Sequence, residues 1–378
     1  MPRRVIIVGA GGIGRACGLM LLEHLGEDIL LGIADVSPAQ SHSAVEWINA
    51  GLGRPANIEI ISLENQVIGE WNPVGDIILD CTPGRFAPEF ARVALRQNMH
   101  YANLTEHIPA TREIYEIARK ATTGFALQSG LAPGFINLLA LKLVNEYTQT
   151  YPGIQVDRIL MRVGSLSQYT SSPAHYAFVW SPMGVSTEYL NDCEVVDQGQ
   201  KITKSSLSER EQITINGIPY EADLTSGGAA DLPSFFNGKV QQLNYKTLRY
   251  PGHFEYIQKL KNDLGDDLNQ KTLLQRMLQD IPFHNSDKVL IYCSVSGKDP
   301  QQKRFEKIRF GEILPIQMNN VRLMAIQRTT ASSLAQTAIL LLSNRFRGIL
   351  TQSKYPVDEF LNGIFIQKHY GEIFSRKV

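Results

Sequence analysis

A glycine pattern near the start of the chain and a cluster of bases further along are the two stretches whose residue types and spacing point to chemistry. Gly9, Gly11, Gly12 and Gly14, with Ile13 between them, fit G-x-G-x-x-G directly after the apolar run VIIV and directly before a helical pattern. In that setting Gly9 permits a tight turn, Gly11 lets a pyrophosphate approach the backbone, and Gly14 lets the helix lie close to the strand. Exposed amides at the helix start, with its dipole, would hold the phosphates. A carboxylate is then required at the end of the second strand to accept hydrogen bonds from the adenosine ribose. Asp35 closes LLGIAD at about the 20-residue interval that the pattern asks for. The next residues, Val36, Ser37 and Pro38, bring no base for a ribose phosphate. The expected cofactor is therefore NAD, with NADP the alternative; a plain strand-to-helix turn with a capping aspartate is the non-functional reading.

The second stretch, YKTLRYPGH at 245–253, packs Lys246, Arg249 and His253 among Tyr245 and Tyr250 in a chain of zero formal charge. A helix surface would space these bases on one face, and a half-buried strand would alternate them with apolar residues. The stretch does neither cleanly, so it asks to be explained by what it binds. The bland alternative is a strand edge and loop whose cations stay solvated.

The elements that must position these groups are legible as an alternation. RRVIIVG, DILLGIAD, NIEIISL, DIILDC, HYANL and GFALQ read as strands, separated by helical segments. Strands that are almost wholly apolar need cover on both faces, which means a parallel sheet between helix layers. Ligands sit outside the carboxyl ends of such strands. Cys81, Thr82 and Pro83 leave the fourth strand there and are candidate cofactor contacts, and LTEH leaves the fifth, so Thr82, Glu106 and His107 would face the nicotinamide end. The helix PGFINLLALKLVNEY is expected to begin at Pro133, where a missing backbone donor is harmless. From there the rhythm changes to a mixed or antiparallel sheet with helices. EQITINGIPYEA reads as a hairpin turning at Asn216-Gly217, and a second strand pair is expected around Gly297-Lys298-Asp299-Pro300. The fold class is α/β: a dinucleotide-binding domain over 1–133, an α+β substrate domain over 134–324, and a small-residue helix within 325–378 returning to the first.

Composition excludes several classes. The 378 residues carry 37 Lys plus Arg against 37 Asp plus Glu, so neither nucleic acid nor an anionic membrane is the expected partner. Four scattered cysteines without a C-x-x-C pair fit a reducing cytoplasm better than disulfides or a cysteine-held zinc. Arg3-Arg4 before an apolar run superficially resembles a leader, but Arg15 interrupts it early. Eight histidines show neither H-x-x-x-H nor H-E-x-x-H spacing, so no metal is expected. No G-x-S-x-G follows a strand, which removes the serine-hydrolase reading.

VIIVGAGGIG at the start, GLAPGFINLLA at 130–140, LTSGGAADLP at 224–233, YKTLRYPGH and RTTA at 328–331 together resemble the saccharopine dehydrogenase family, and look closest to its lysine 6-dehydrogenase-like members. The resemblance implies a Rossmann domain, an inserted substrate domain on a mixed sheet, a helix rejoining the first domain, and a homodimer. It implies NAD(P)-dependent oxidation, or reductive formation, of a carbon–nitrogen bond in a small amino-acid or amine substrate.

That chemistry gives the bases roles. Arg249 would hold a substrate carboxylate with two parallel bonds. Lys246 would neutralise a second carboxylate or assist proton transfer, and His253, at an ordinary pKa of about 6.5, would exchange a proton near neutrality. His107 is a further catalytic candidate, and His175 a rival base or substrate contact. Tyr245 and Tyr250 would wall the site, and Ser226 and Gly227 would offer polar contacts to another oxygen. Tyr169 and Trp180 are expected to pack. The competing readings are a carboxynorspermidine-type dehydrogenase, which would want extra carboxylates such as Glu221, Asp223 or Asp231, and a protein that senses NAD without turnover.

Overall fold

A computed structural model describes residues 2–64, 66–106, 108–170 and 173–375. The chain separates into two compact units, one of residues 1–135, 316–323 and 327–369, the other of 136–315, 324–326 and 370–378.

The first unit is built on a seven-stranded parallel sheet. Its strands are β1 (Arg3–Val8), β2 (Ile29–Asp35), β3 (Ile58–Ser62), β4 (Ile77–Asp80), β5 (His100–Asn103) and β6 (Gly124–Ala126), with Gly348–Leu350 added beside β6. The spatial order runs β3-β2-β1-β4-β5-β6, so the winding reverses between β1 and β4. Val5 to Val8 and Ile77 to Leu79 are fully buried, as strands with helices on both faces must be. Helix Pro38–Leu52 shows how local sequence sets its ends. Ser37 accepts from the Gln40 amide, Pro38 occupies the first turn, and the chain leaves through left-handed Gly53.

The second unit is a mixed sheet with helices, as its sequence rhythm suggests. It holds β7 (Val156–Ser167), β8 (Cys193–Asp197), β9 (Gln200–Lys204), β10 (Glu211–Ile215), β11 (Ile218–Leu224), β12 (Gln242–Arg249), β13 (Asp287–Lys298) and β14 (Arg304–Ile313), in the order β10-β11-β12-β7-β13-β14. β12 runs parallel to β7 and antiparallel to β11. The β10–β11 hairpin turns at Asn216-Gly217, both with positive φ, which matches the right-handed twist of the strands. Tyr176, Phe178, Tyr189, Leu248, Phe254 and Leu290 belong to its core.

One expectation about an element end fails. Pro133 does not open the next helix, which spans Phe135–Thr150. A Cβ on Gly134 would stand 2.1 Å from the Gly130 oxygen, so the chain between them folds back on itself, and the Phe135 amide donates to that same oxygen at 2.8 Å. The expected second strand pair is present: β13 and β14 run antiparallel and are joined through residues 299–303, with Gly297 and Lys298 closing β13 past a register shift at Ser296/Gly297. The missing side chain at 297 makes room for the Tyr147 hydroxyl, which donates to the Lys298 carbonyl at 2.7 Å.

Candidate functional site

In the first unit, β1 ends at Val8 and the chain turns through Gly9 at φ 93°. A Cβ on Gly9 would lie 2.8 Å from the Cys81 oxygen, and one on Gly14 would lie 2.0 Å from the Gly9 oxygen. Both positions admit only glycine because backbone, which cannot step aside, fills the space. At Gly11 a Cβ would meet nothing within 4 Å. The loop is thus closed tightly on its own side and open at Gly11. Gly11 is also the cap residue of helix Gly12–Leu25 and supplies no side-chain acceptor, so the first-turn amides have no side-chain cap there. Ile13 is half-buried. These features fit a pyrophosphate.

The Asp35 carboxylate lies against this loop. One oxygen accepts from the Ala10 amide at 2.8 Å and the other from the Ser37 amide at 2.9 Å. Each oxygen keeps a lone pair for a further donor such as a ribose hydroxyl. Across the switch point, the Cys81 amide donates to the Val8 carbonyl at 2.8 Å, which ties the segment Cys81, Thr82, Pro83 to the start of the loop. Thr82 donates both its hydroxyl (2.6 Å) and its amide (2.9 Å) to Asp80 Oδ1, while Tyr101 donates to Asp80 Oδ2 at 2.7 Å. Burial raises the Asp80 carboxyl to about 6, although these three bonds pull the other way. Asp80 and Tyr101 went unnoticed in the sequence because they read there as ordinary strand residues. Burial also raises the Glu106 carboxyl. His107 lies outside the described residues.

In the second unit the basic stretch is no solvated edge. β12 is flanked on both sides, and Lys246, Arg249 and His253 are 4%, 1% and 0% exposed. Lys246 and Arg249 differ in parity along the strand and so leave opposite faces of the sheet. Lys246 Nζ donates to the Glu209 carbonyl at 2.5 Å and to Glu211 at 3.1 Å. Glu211 also takes Arg162 Nε at 2.5 Å, so the buried Lys246 ammonium belongs to an ion cluster whose carboxylates are partly exposed. That setting does not suit the expected role of holding a second carboxylate or moving protons.

Arg249 lies in a different network. Its Nε donates to the Tyr189 hydroxyl at 2.9 Å and its Nη1 to the Leu248 carbonyl at 2.9 Å. Nη2 is buried and finds no hydrogen-bond partner among the described residues. The guanidinium stacks 4.7 Å over the Tyr176 ring, and Glu188 lies near enough to act on its charge. The Tyr189 hydroxyl, having accepted from Arg249, donates to His253 Nε2 at 2.9 Å, and His253 Nδ1 donates to the Ala174 carbonyl at 2.8 Å. This chain of bonds fixes a neutral imidazole. Burial, then the Arg249 charge, drives its pKa down to about 3. The expected proton exchange near neutrality is therefore not what this histidine is built for; it orients Tyr189.

The remaining candidates scatter. Tyr250 is core, stacked on Tyr220 with its hydroxyl on the Ser167 carbonyl at 3.1 Å. The Ser226 amide donates to the Glu188 carbonyl at 3.2 Å, which brings Ser226 and Gly227 close to the Arg249 network. A Cβ on Gly228 would strike the Tyr245 ring at 2.3 Å, so Tyr245 walls that turn. His175 is exposed, beside Gly252, and only its neighbour Ala174 joins the network. Tyr169, expected to pack, is 68% exposed, whereas Trp180 does pack on the core. Among the described residues no group of three or more His, Cys, Asp or Glu side chains is placed to hold a metal, and no helix is long and apolar enough to cross a membrane.

Comparison with known proteins adds relatives to this geometry. The family model described as the saccharopine dehydrogenase C-terminal domain matches residues 130–363. Saccharopine dehydrogenase [NADP(+), L-glutamate-forming] of Saccharomyces cerevisiae is 22% identical over 282 residues, covering 71% of this chain and 60% of that protein. Its counterpart from Pyricularia oryzae is 23% identical over 270 residues, 70% of this chain and 58% of that protein. The matches thus span about 60% of these curated relatives. Among solved structures, apo saccharopine dehydrogenase (L-Glu forming) from S. cerevisiae has a TM-score of 0.74 at 16% identity, over 98% of both chains. Homospermidine synthase from Legionella pneumophila, in complex with NAD, has a TM-score of 0.69 at 12% identity, over 98% of this chain and 90% of the other. At such identities these likenesses show the fold.

Proposed function

Because this chain belongs to the saccharopine dehydrogenase family, we propose that it is an NAD(P)-dependent oxidoreductase acting on a carbon–nitrogen bond of an amino acid or amino-acid adduct. The observation that carries the proposal is Arg249. A guanidinium 1% exposed, with one terminal nitrogen unpartnered among the described residues, is costly to keep. A carboxylate is the ligand that completes it. Tyr189 and His253 act on Arg249 as positioning residues. Their bonds hold its Nε end fixed, so that Nη2 is left for the ligand. Ser226 and Gly227 supply further contacts from the adjoining turn.

In the first unit, Gly11, Gly12 and Gly14 receive the pyrophosphate, Asp35 the adenosine ribose, and Thr82 the nicotinamide end. Asp35 without a following base supports NAD over NADP, even though the yeast and Pyricularia relatives are named for NADP(+). The nicotinamide supplies the hydride acceptor. The amine carbon gives up a hydride, the nitrogen a proton, and water opens the resulting imine to a carbonyl.

A polyamine substrate is the weaker reading, because two of the three carboxylates named for it are committed elsewhere. Glu221 accepts from the Phe254 amide, and Asp223 accepts from the Glu209 and Leu224 amides beside Arg210. The family resemblance further supports a homodimer, and four scattered cysteines support a reducing cytoplasm; light scattering and fractionation would check these. The test of function is absorbance at 340 nm with NAD or NADP against lysine, saccharopine and related amines. A rate that needs a substrate carboxylate and falls on Arg249→Met supports the proposal. Silence across the panel, with dinucleotide still bound, favours a non-catalytic NAD sensor instead.

A further inference from the structure

The glycine loop has one side with no protein atom near it and one side covered by a residue from the far end of the chain. A Cβ built on Gly12 would stand 2.9 Å from Gln327 Nε2, and its three nearest atoms all belong to the Gln327 side chain. At Gly11, one residue earlier, nothing lies within 4 Å. Gln327 is 6% exposed and rises from the first turn of helix Ala325–Leu342. Its carboxamide is therefore held, end on, against the first residue of helix Gly12–Leu25, whose start has no side-chain cap. A carboxamide has two N–H donors and an acceptor, so it can keep a protein contact and still donate to an anion. Leaving residue 12 without a side chain lets it approach that closely.

Resting on the dinucleotide reading of this unit, we infer that Gln327 is a further residue of the dinucleotide site, donating to the pyrophosphate beside the Gly12 amide. Gly12 then has a purpose separate from that of its neighbours. At Gly9 and Gly14 the space is filled by backbone, whereas at Gly12 it is filled by the far end of the Gln327 side chain.

The test is calorimetric titration with NAD. Gln327→Glu keeps the shape while exchanging donors for a negative charge. It should weaken NAD by about tenfold or more, the order lost with one charge-assisted hydrogen bond, while leaving the melting of the ligand-free protein in place. Equal affinity within about twofold, in a variant that folds, overturns the inference. Should that variant not fold, side-chain amide NMR of glutamine-labelled protein decides. The resonance pair missing from Gln327→Met is assigned to Gln327, and it should move on adding NAD; a pair that stays still overturns the inference as well. Failure of the unsubstituted protein to bind NAD at all overturns the dinucleotide reading and this inference with it.

Discussion

Under the proposed function, the glycine loop and strand β12 stand at opposite extremes of how a chain can prepare for an anion. The loop does so by omission. Its backbone is packed against backbone at Gly9 and Gly14, and Gly11 leaves a space that no protein atom fills within 4 Å. β12 does so by crowding: it buries Lys246 and Arg249 and bonds most of their polar atoms, and Arg249 Nη2 is the one buried side-chain nitrogen or oxygen of the strand without a partner among the described residues. A site made by omission is sensitive to added atoms, and one made by crowding is sensitive to removed bonds.

The largest effect should come from adding one methyl group to the loop. Gly14→Ala places a Cβ 2.0 Å from the Gly9 oxygen, so helix and loop must part. NAD binding should become unmeasurable and the ligand-free protein should melt lower. Gly11→Ala meets no protein atom, so the ligand-free melting temperature should hold while NAD affinity still falls. If calorimetry finds the two variants equally stable without ligand, the loop is not closed as described.

On the crowded side, the next largest effect belongs to Arg249. Arg249→Met should lower kcat/KM by roughly 100-fold or more, since a buried charge partner is worth about 3 kcal/mol or more when removed. Arg249→Lys should not rescue it, because a point charge cannot bond Tyr189 and a carboxylate in one plane. His253→Asn should raise KM and leave the pH profile where it was. A profile that moves instead would restore this histidine as a proton carrier.

How much of this the sequence disclosed follows from distance along the chain. The loop, Asp35 and the Asn216-Gly217 turn are local: their geometry is set by residues within a turn, and small residues at fixed spacing announce it. The alternating apolar strands disclosed the parallel sheet for the same reason. What stayed hidden is non-local. Lys246 meets Glu211 and Arg249 meets Tyr189 through folding alone, and no spacing pattern joins such pairs. The helix start at Phe135 was misjudged because it depends on what packs against Gly134, the backbone of Gly130.

The two units also carry buried titrating groups that pull in opposite directions with pH. His253 in the second unit and His369 in the first are both lowered by burial to about 3, against about 6.5 when unfolded. Below pH 6.5 the unfolded chain takes up protons that the folded one refuses, so stability falls as pH drops, by up to about 1.4 kcal/mol per histidine at pH 5.5. Asp80, raised by burial to about 6, works the other way. Between about 3.9 and 6 the folded state holds the extra proton, so acidification stabilises. One aspartate against two histidines leaves a net loss of about 1–2 kcal/mol from pH 7 to 5.5. Asp80→Asn should steepen that loss and His369→Phe should shallow it, as read from urea unfolding at both pH values.

The smallest effect should come from Lys246, and it separates the two faces of β12. Lys246→Met removes a donor to Glu211 and to the Glu209 carbonyl, but Glu211 keeps Arg162 at 2.5 Å and is 38% exposed on its side chain. Neither acceptor is left stranded in a dry interior. The loss should be about 1–2 kcal/mol of stability, typical of a charged hydrogen bond replaced by apolar volume. Kcat/KM per folded molecule should be unchanged, because Lys246 and Arg249 leave opposite faces of the strand. A drop in kcat/KM with stability intact would place the lysine back in the chemistry. It would also mean that the two faces of β12 are not as separate as their hydrogen bonds make them.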